Sequence, residues 1–422
     1  MRAHVKPKVR IRVVYIYAFC AILSLSVYPR AFDNPFRQDD FMFLRHVENN
    51  TFRGALKPPP ELAFYRPGAI ALFSLEHKLF ARNSGAYIMF NYILHVAISI
   101  LMLFILLRID PHSKAPLLAS GLFLMGFGHY GKQIMWACTS GPLASVLLSL
   151  ASMLITIHWV GQSKMRDNGK PGRLGYGLYP VFALILLTLS PLFHETSVVT
   201  CVVISLIVMV SLRGSNSSKL NHAILFLIPL PLWLGFWFLL AKSYSAFRGI
   251  EESIPNVPAY LIRYIGFMVL PLQRTAIIGA TPTRDLAIVI SQYLQFVIGS
   301  TILVLLLYFV FKSKGTLRVL GVWFLLALGP FTLVPLPEHW LELRYLYHAS
   351  IPFCGLTAIA VLALWGQKRI VWKVIAGAVI VGVTVGSMVL QVVLENRYDH
   401  YAQTTELIVR SPTNTRGASS CQ

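Results

Sequence analysis

Stretches of roughly twenty mostly apolar residues, the length needed to cross the hydrocarbon of a bilayer, recur from Ile11 to Leu394. They leave no room for a separate soluble domain of any size. With 56% hydrophobic and 13% charged residues, the chain falls well below the charged content of a soluble protein, about a quarter. The expected fold class is an all-α polytopic membrane protein, with spans near residues 11–28, 86–107, 115–130, 141–160, 174–193, 196–212, 221–241, 286–311, 319–336, 349–366 and 374–394. The basic N-terminus followed by Ile11 to Tyr28 lacks a small-x-small cleavage site, so an uncleaved first span is expected.

The net charge of +20 does not call for nucleic acid, because the basic residues form short clusters between apolar stretches and no continuous face. The clusters serve topology. With the N-terminus in the cytoplasm, Arg2 to Arg12, Arg108/Lys114, Lys164 to Arg173, Arg213/Lys219, Lys312 to Arg318 and Lys368 to Lys373 all fall inside. About 15 of the 17 acidic residues then fall outside. An N-in, C-out arrangement follows from the positive-inside bias, as expected for a multi-pass protein of a bacterial plasma (inner) membrane. Residues 1–394 make one membrane domain and residues 395–422 a short outer tail. Two long outer loops, 29–85 and 242–285, mix charged with aromatic and aliphatic residues and read as interfacial helices. Tyr260 to Leu272 is expected to be re-entrant or interfacial. The five cysteines include no CxxC pair, so no disulfide framework or zinc knuckle is signalled.

Four outer segments carry chemistry. The first loop opens AFDNPFRQDDFMFL, with Asp39 and Asp40 adjacent; partly desolvated carboxylates can supply a base at a membrane surface. Further on, Tyr65-Arg66-Pro67 precedes an amphipathic stretch, and Asn91 and His95, four residues apart in the second span, share a helix face. Such polar groups in a bilayer serve packing or support a site. His194 and Glu195 occupy a short turn between apolar spans; Val198 stands where a zinc-protease signature needs its second histidine, which removes that chemistry. Finally, LPEHWLELRYLYHAS gathers Glu338, His339, Glu342, Arg344, Tyr345, Tyr347 and His348 at the outer ends of two spans. Arg344 could bind phosphate through its planar fork or snorkel in an aromatic belt.

In order, QDDF, YRP with SGAYIMFNYILH, MWACTSGPLASVL, HETSV and LRYLYHAS resemble the GT-C glycosyltransferases, especially the transmembrane O-mannosyltransferase branch that often carries tetratricopeptide repeats. Those repeats are absent from this chain. Where the family usually shows Lys-Glu, this sequence has His194-Glu195, and Ser140-Gly141 stands where the family often has a basic residue. The resemblance implies a GT-C-like bundle of about eleven transmembrane helices and inverting transfer, with mannose among the candidate hexoses, from a polyprenyl-phosphate-linked sugar on the outer face. It assigns the general base to Asp39 or Asp40. Arg66, His194, Arg344 and Tyr345 become the donor-phosphate ligands, with Glu195, Tyr65, Asn91 and His95 in support. The acceptor, whether protein, glycan or lipid, is not specified. No carboxylate-rich cage demands a metal, although Asp39, Asp40 and Glu195 could bind a divalent ion if they meet. A lipid-linked saccharide flippase or transporter, or a non-catalytic scaffold, is the alternative. Outward concentration of the acids and the scarcity of charge in span centres favour surface chemistry.

The charge asymmetry alone generates a test. In a cysteine-free background, cysteines placed at Lys170 and Lys314 should resist an impermeant thiol reagent in intact cells, whereas cysteines at Asn50 and Asn256 should react. Equal labelling at all four would overturn the orientation.

Overall fold

The computed structural model describes residues 17–25, 32, 35–36, 38–57, 65–111, 113–125, 131–166, 177–212, 215–240, 254–270, 282–313, 315–332 and 346–382. These residues are helical or connecting, with no strand among them. The helices are α1 (residues 17–25), α2 (Gln38–Glu48), α3 (Phe52–Ala55), α4 (Pro67–Phe80), α5 (Ser84–Ile109), α6 (Ala115–Leu124), α7 (Gly131–Ile134) and α8 (Ser140–Arg166). They continue as α9 (Leu178–Phe193), α10 (Val198–Ser211), α11 (Asn216–Leu227), α12 (Pro229–Leu240), α13 (Val257–Val269), α14 (Pro282–Lys312), α15 (Thr316–Thr332), α16 (Tyr347–Trp365) and α17 (Ile370–Gly382).

Among the described residues, five helical stretches are long and apolar enough to cross a membrane: Ser84–Ile109, Ala137–Ser163, Asn216–Phe236, Val289–Lys312 and Tyr347–Trp365. Shorter apolar helices occupy Ala115–Leu124, Leu178–Phe193, Glu195–Ser211, Thr316–Thr332 and Ile370–Gly382. All fall within or overlap the stretches expected from hydropathy. Large apolar side chains such as Phe104, Phe182, Val210, Leu239 and Phe311 remain exposed around the bundle. A lipid-facing surface requires that composition, because hydrocarbon tails solvate such side chains as well as a protein interior does.

Without a hydrophobic drive between helices in lipid, small residues and hydroxyls do the joining. Helix α8 presents Ser145 and Ser152, seven residues apart and so on one face. Ser145 donates to the carbonyl oxygen of Ser190 at 2.9 Å and Ser152 to that of Ala183 at 2.7 Å, which fixes α8 and α9 antiparallel. On the other side α8 meets α5, and α16 packs against α6 and α15. The main core lies between them, around Ile98, Met102, Leu143, Leu150, Trp323 and Cys354.

The segment expected to be re-entrant or interfacial forms α13, whose 13 residues rise about 20 Å at 1.5 Å each. That is too short for a hydrocarbon core of about 30 Å. Helix α13 instead packs antiparallel along α14, glycine against backbone. A Cβ on Gly266 would lie 1.8 Å from the Gln295 carbonyl oxygen, and one on Gly299 would lie 2.0 Å from that of Ile262. Gln295 Nε2 donates to the Leu270 carbonyl oxygen at 2.8 Å and closes the end of α13.

Helix α4 lies close to α8 for a similar reason. A Cβ on Gly141 would come within 2.5 Å of the Ala69 Cβ. At this seam Glu76, 1% exposed, accepts a hydrogen bond from Ser140 Oγ at 3.0 Å through Oε2. Its Oε1 has no hydrogen-bond partner among the described residues. Burial pushes the Glu76 carboxyl up to about 8, against the smaller opposing effect of Ser140, so the group is mostly protonated at neutral pH.

This packing yields two measurable outcomes. Gly266→Ala should destabilise the detergent-solubilised protein by about 1–3 kcal/mol through forced separation of α13 and α14, whereas Gly235→Ala, with nothing among the described residues within 4 Å of the added atom, should not. Thermal unfolding of the two variants checks this, and equal midpoints would refute it. For Glu76 the folded-state value lies above the unfolded 4.5. Its contribution is therefore full below that value and lost as pH rises through about 8. Unfolding measured across this range should show wild-type stability falling with pH and a shallower fall for Glu76→Gln; identical slopes would remove Glu76 as the responsible group.

Candidate functional site

The site forms where α2, the start of α4, the 137–140 turn, the 194–197 turn and the start of α16 come together. In α2, Asp40, Phe43, Leu44 and Val47 follow helical spacing and are all buried. Phe43, Leu44 and Val47 pack against Ile70, Phe73, Tyr87 and Ala137. Asp40 is 1% exposed and its Oδ1 accepts the Cys138 N–H at 2.8 Å. Asp39, one residue and about 100° away around the helix, is half-buried and lines the cleft. Both stand in the first turn of α2, where the positive end of the helix dipole favours carboxylates.

Asn91 and His95 share a face of α5 and hold two different partners. Asn91 Nδ2 donates to the carbonyl oxygens of Ile134 and Trp136, at 3.2 and 2.8 Å, and to Thr139 Oγ1 at 3.3 Å. It thereby shapes the turn that receives Asp40. His95 Nδ1 lies 2.8 Å from the Tyr347 hydroxyl and fixes the first residue of α16.

Arg66 precedes Pro67, which occupies the first turn of α4 where its missing N–H costs nothing. Gly68 lets the helix start close against the end of α9, since a Cβ there would meet the Phe193 side chain at 2.8 Å and the Leu192 backbone at 3.0 Å. That approach brings Arg66 to Glu195 in a two-pronged pair, Nε to Oε2 at 2.7 Å and Nη2 to Oε1 at 2.5 Å. Burial alone would raise the Glu195 carboxyl, but the charges of Arg66 and His194 and the Arg66 hydrogen bond hold it well below the usual carboxylate range. Two prongs of the guanidinium that sequence reasoning assigned to a phosphate are thus engaged by Glu195. Tyr65 stacks on Phe236 with ring centroids 5.7 Å apart and donates to the Leu56 carbonyl oxygen at 2.6 Å, which ties α3, α4 and α12 together beside the site.

His194 ends α9 and caps the turn at 195–197. Its Nδ1 lies 2.8 Å from Thr196 Oγ1 and accepts the Thr196 N–H at 3.4 Å. With Asp39, Arg66, Thr196 and Tyr347, it lines an open cleft. Arg344 and Tyr345, with Glu338, His339 and Glu342, lie outside the described residues.

Sequence reasoning did not select Gln133, Thr196 or Glu76. Glu76 carried a signal, as an acid on an otherwise apolar helical face; Gln133 and Thr196 carried none, being ordinary polar residues in short connections. Among the described residues no three His, Cys, Asp or Glu side chains converge as a metal ion would require. Asp40 is bound to Cys138 and Glu195 to Arg66, so the three carboxylates considered as ion ligands do not form a cage.

No protein-family model and no curated protein sequence matches the chain. Solved structures do. An archaeal oligosaccharyltransferase, AglB from Archaeoglobus fulgidus, in complex with an inhibitory peptide and a dolichol-phosphate, superposes with a TM-score of 0.52 at 12% identity over 96% of this chain. The Archaeoglobus fulgidus oligosaccharyltransferase complex with zinc and sulfate gives 0.54 at 11% over 94%. The same enzyme tethered to an acceptor peptide containing the NVT sequon gives 0.53 at 12% over 95%. The chain spans only 55–58% of the length of these structures. At this identity the likeness establishes the fold alone: this chain shares the architecture of the matched part of those oligosaccharyltransferase structures.

Proposed function

We propose that the protein is a GT-C-type membrane glycosyltransferase that moves a sugar from a polyprenyl-phosphate carrier to a nucleophilic acceptor at the outer face of the membrane. The observation that carries this reading is Asp39, a carboxylate that with His194 lines an open cleft, in a fold shared with oligosaccharyltransferases. The dolichol-phosphate and acceptor-peptide complexes of those enzymes support a lipid-linked donor and a polypeptide acceptor.

In the proposed reaction Asp39 accepts the proton of an acceptor hydroxyl or amide as that group's lone pair attacks the anomeric carbon. The bond from this carbon to the phosphate oxygen breaks, its electron pair leaves with the lipid phosphate, and the anomeric centre inverts in one displacement. A positioned base contributes about 10²–10⁴-fold. The departing phosphate gains negative charge, so donors aimed at it lower the barrier. His194 supplies one such donor from the cleft wall, and the resemblance adds Arg344 and Tyr345. Arg66 acts chiefly through Glu195, since the pair cross-links α4 to the turn that carries His194. Asp40 is a positioning residue: by holding the Cys138 N–H it fixes the turn of α2 from which Asp39 projects.

The two acidic residues should therefore separate experimentally. Asp39→Asn should keep the wild-type unfolding midpoint and lose about 10²-fold or more of sugar transfer, assayed with a panel of polyprenyl-phosphate sugars. Asp40→Asn retains an oxygen that can accept the Cys138 N–H and should keep most of both properties, whereas Asp40→Leu should lower the midpoint along with the rate. Wild-type transfer by Asp39→Asn would exclude the assigned base.

A further inference from the structure

Two side chains of the cleft wall take no part in the proton transfer or in phosphate departure. Gln133, from α7, and His348, in the first turn of α16, both line the cleft and are only 2% and 3% exposed. Gln133 Nε2 and both ring nitrogens of His348 have no hydrogen-bond partner among the described residues. A buried donor or acceptor left unpaired costs about 1–3 kcal/mol, so three such atoms lining one cleft are an expensive arrangement for packing alone. The backbone that carries each side chain is nevertheless firmly placed. Gln133 lies beside the turn organised by Asn91, its backbone carbonyl oxygen accepting from Thr139 Oγ1. His348 follows Tyr347, which is tied to His95, and meets the Trp323 ring edge-on at 6.4 Å.

We propose, resting on the sugar-transfer reading, that Gln133 and His348 form a subsite that hydrogen-bonds the hydroxyl groups of the donor's hexose ring. The chemistry of the wall selects this ligand. A primary amide offers two donors and an acceptor oxygen, and an imidazole offers a donor and an acceptor, which is what a ring of hydroxyl groups, each both donor and acceptor, demands. Gln133 carries no charge to hold a phosphate. Phe43, Pro142, Val146 and Phe331 line the same cleft and suit the C–H faces of a pyranose. The terminal torsions of Gln and His are broad, so a small rotation turns the amide or the ring toward an arriving hydroxyl group. The unpaired nitrogens are then satisfied by substrate. A lipid phosphate without a sugar leaves them unsatisfied, so the subsite discriminates loaded from spent carrier.

The test compares binding of a short-chain polyprenyl-phosphate hexose with that of the same polyprenyl phosphate lacking the sugar, using wild type, His348→Phe and Gln133→Leu in nanodiscs. The variants should unfold at or above the wild-type temperature, because unpaired buried polar atoms have been replaced by apolar ones. Each should lose about 10-fold or more in affinity for the hexose-bearing lipid, the worth of one or two hydrogen bonds, and bind the bare lipid phosphate as wild type does. If both variants keep the wild-type preference for the hexose-bearing lipid, the subsite is overturned while the sugar-transfer reading stands. Equal loss of both lipids overturns it as well. If wild type binds neither lipid, the sugar-transfer reading itself fails and the subsite with it. Should His348→Phe not fold, His348→Leu carries the same comparison.

Discussion

Polar groups of the turn that leads into α8 are satisfied by side chains from three other helices. Asp40 accepts the Cys138 N–H, Asn91 donates its amide to the carbonyl oxygens of Ile134 and Trp136, and Glu76 accepts from the Ser140 hydroxyl. Helices α2, α5 and α4 are thereby fastened to one turn. Each such bond contributes only about 0.5–1.5 kcal/mol net, but leaving its buried partner unmade costs more. The turn consequently has one satisfied arrangement, and the position of Asp39 at the cleft depends on it.

The second fixed point is the Arg66–Glu195 pair. A planar guanidinium gripping a carboxylate with two parallel bonds adds geometric definition as well as energy, and it joins the start of α4 to the turn between α9 and α10. Its value lies in position more than in net stability, since taking two charges out of water offsets much of their attraction. The cost of breaking it is asymmetric, because removing Arg66 would leave a largely enclosed carboxylate beside His194. The cleft therefore mixes groups engaged in holding its shape, Asp40, Glu195, Asn91 and His95, with groups that face its interior, Asp39, His194, Gln133 and His348. That division of labour is what a site needs if the reacting groups are to be held within a fraction of an ångström by partners that do not themselves react.

Much of this arrangement is legible in the residues alone, and the exceptions have physical causes. Asn91 and His95 are readable from their four-residue spacing as sharing one face of α5, and Glu195 as a candidate from an ionisable group beside hydrocarbon. The choice between Asp39 and Asp40 also leaves a trace: Asp40 shares its helical face with Phe43, Leu44 and Val47, so it is the one placed to turn inward. The partner of Arg66 leaves none, because pairing across 129 positions depends on Gly68 allowing α4 to start against α9, and a glycine announces room without saying what will fill it. Gln133 is equally silent, since an amide in a four-residue helix has no periodicity to betray its direction.

By itself the sequence determined the solvent. Long apolar stretches force backbone hydrogen bonds to close within helices, and basic clusters between them set the expected side of each loop. It also put the acidic pair, the HETSV turn and the LRYLYHAS segment at one expected end of the bundle, because span length and alternation leave few other solutions. Only the tertiary structure decided which of the described groups meet. Side-chain pairing depends on how closely two helices approach and at what rotation, and those quantities are set by contacts such as Gly141 against Ala69 and Gly68 against Leu192. A chain's own order and hydropathy fix its segments; the ångströms between them arise only when the segments pack.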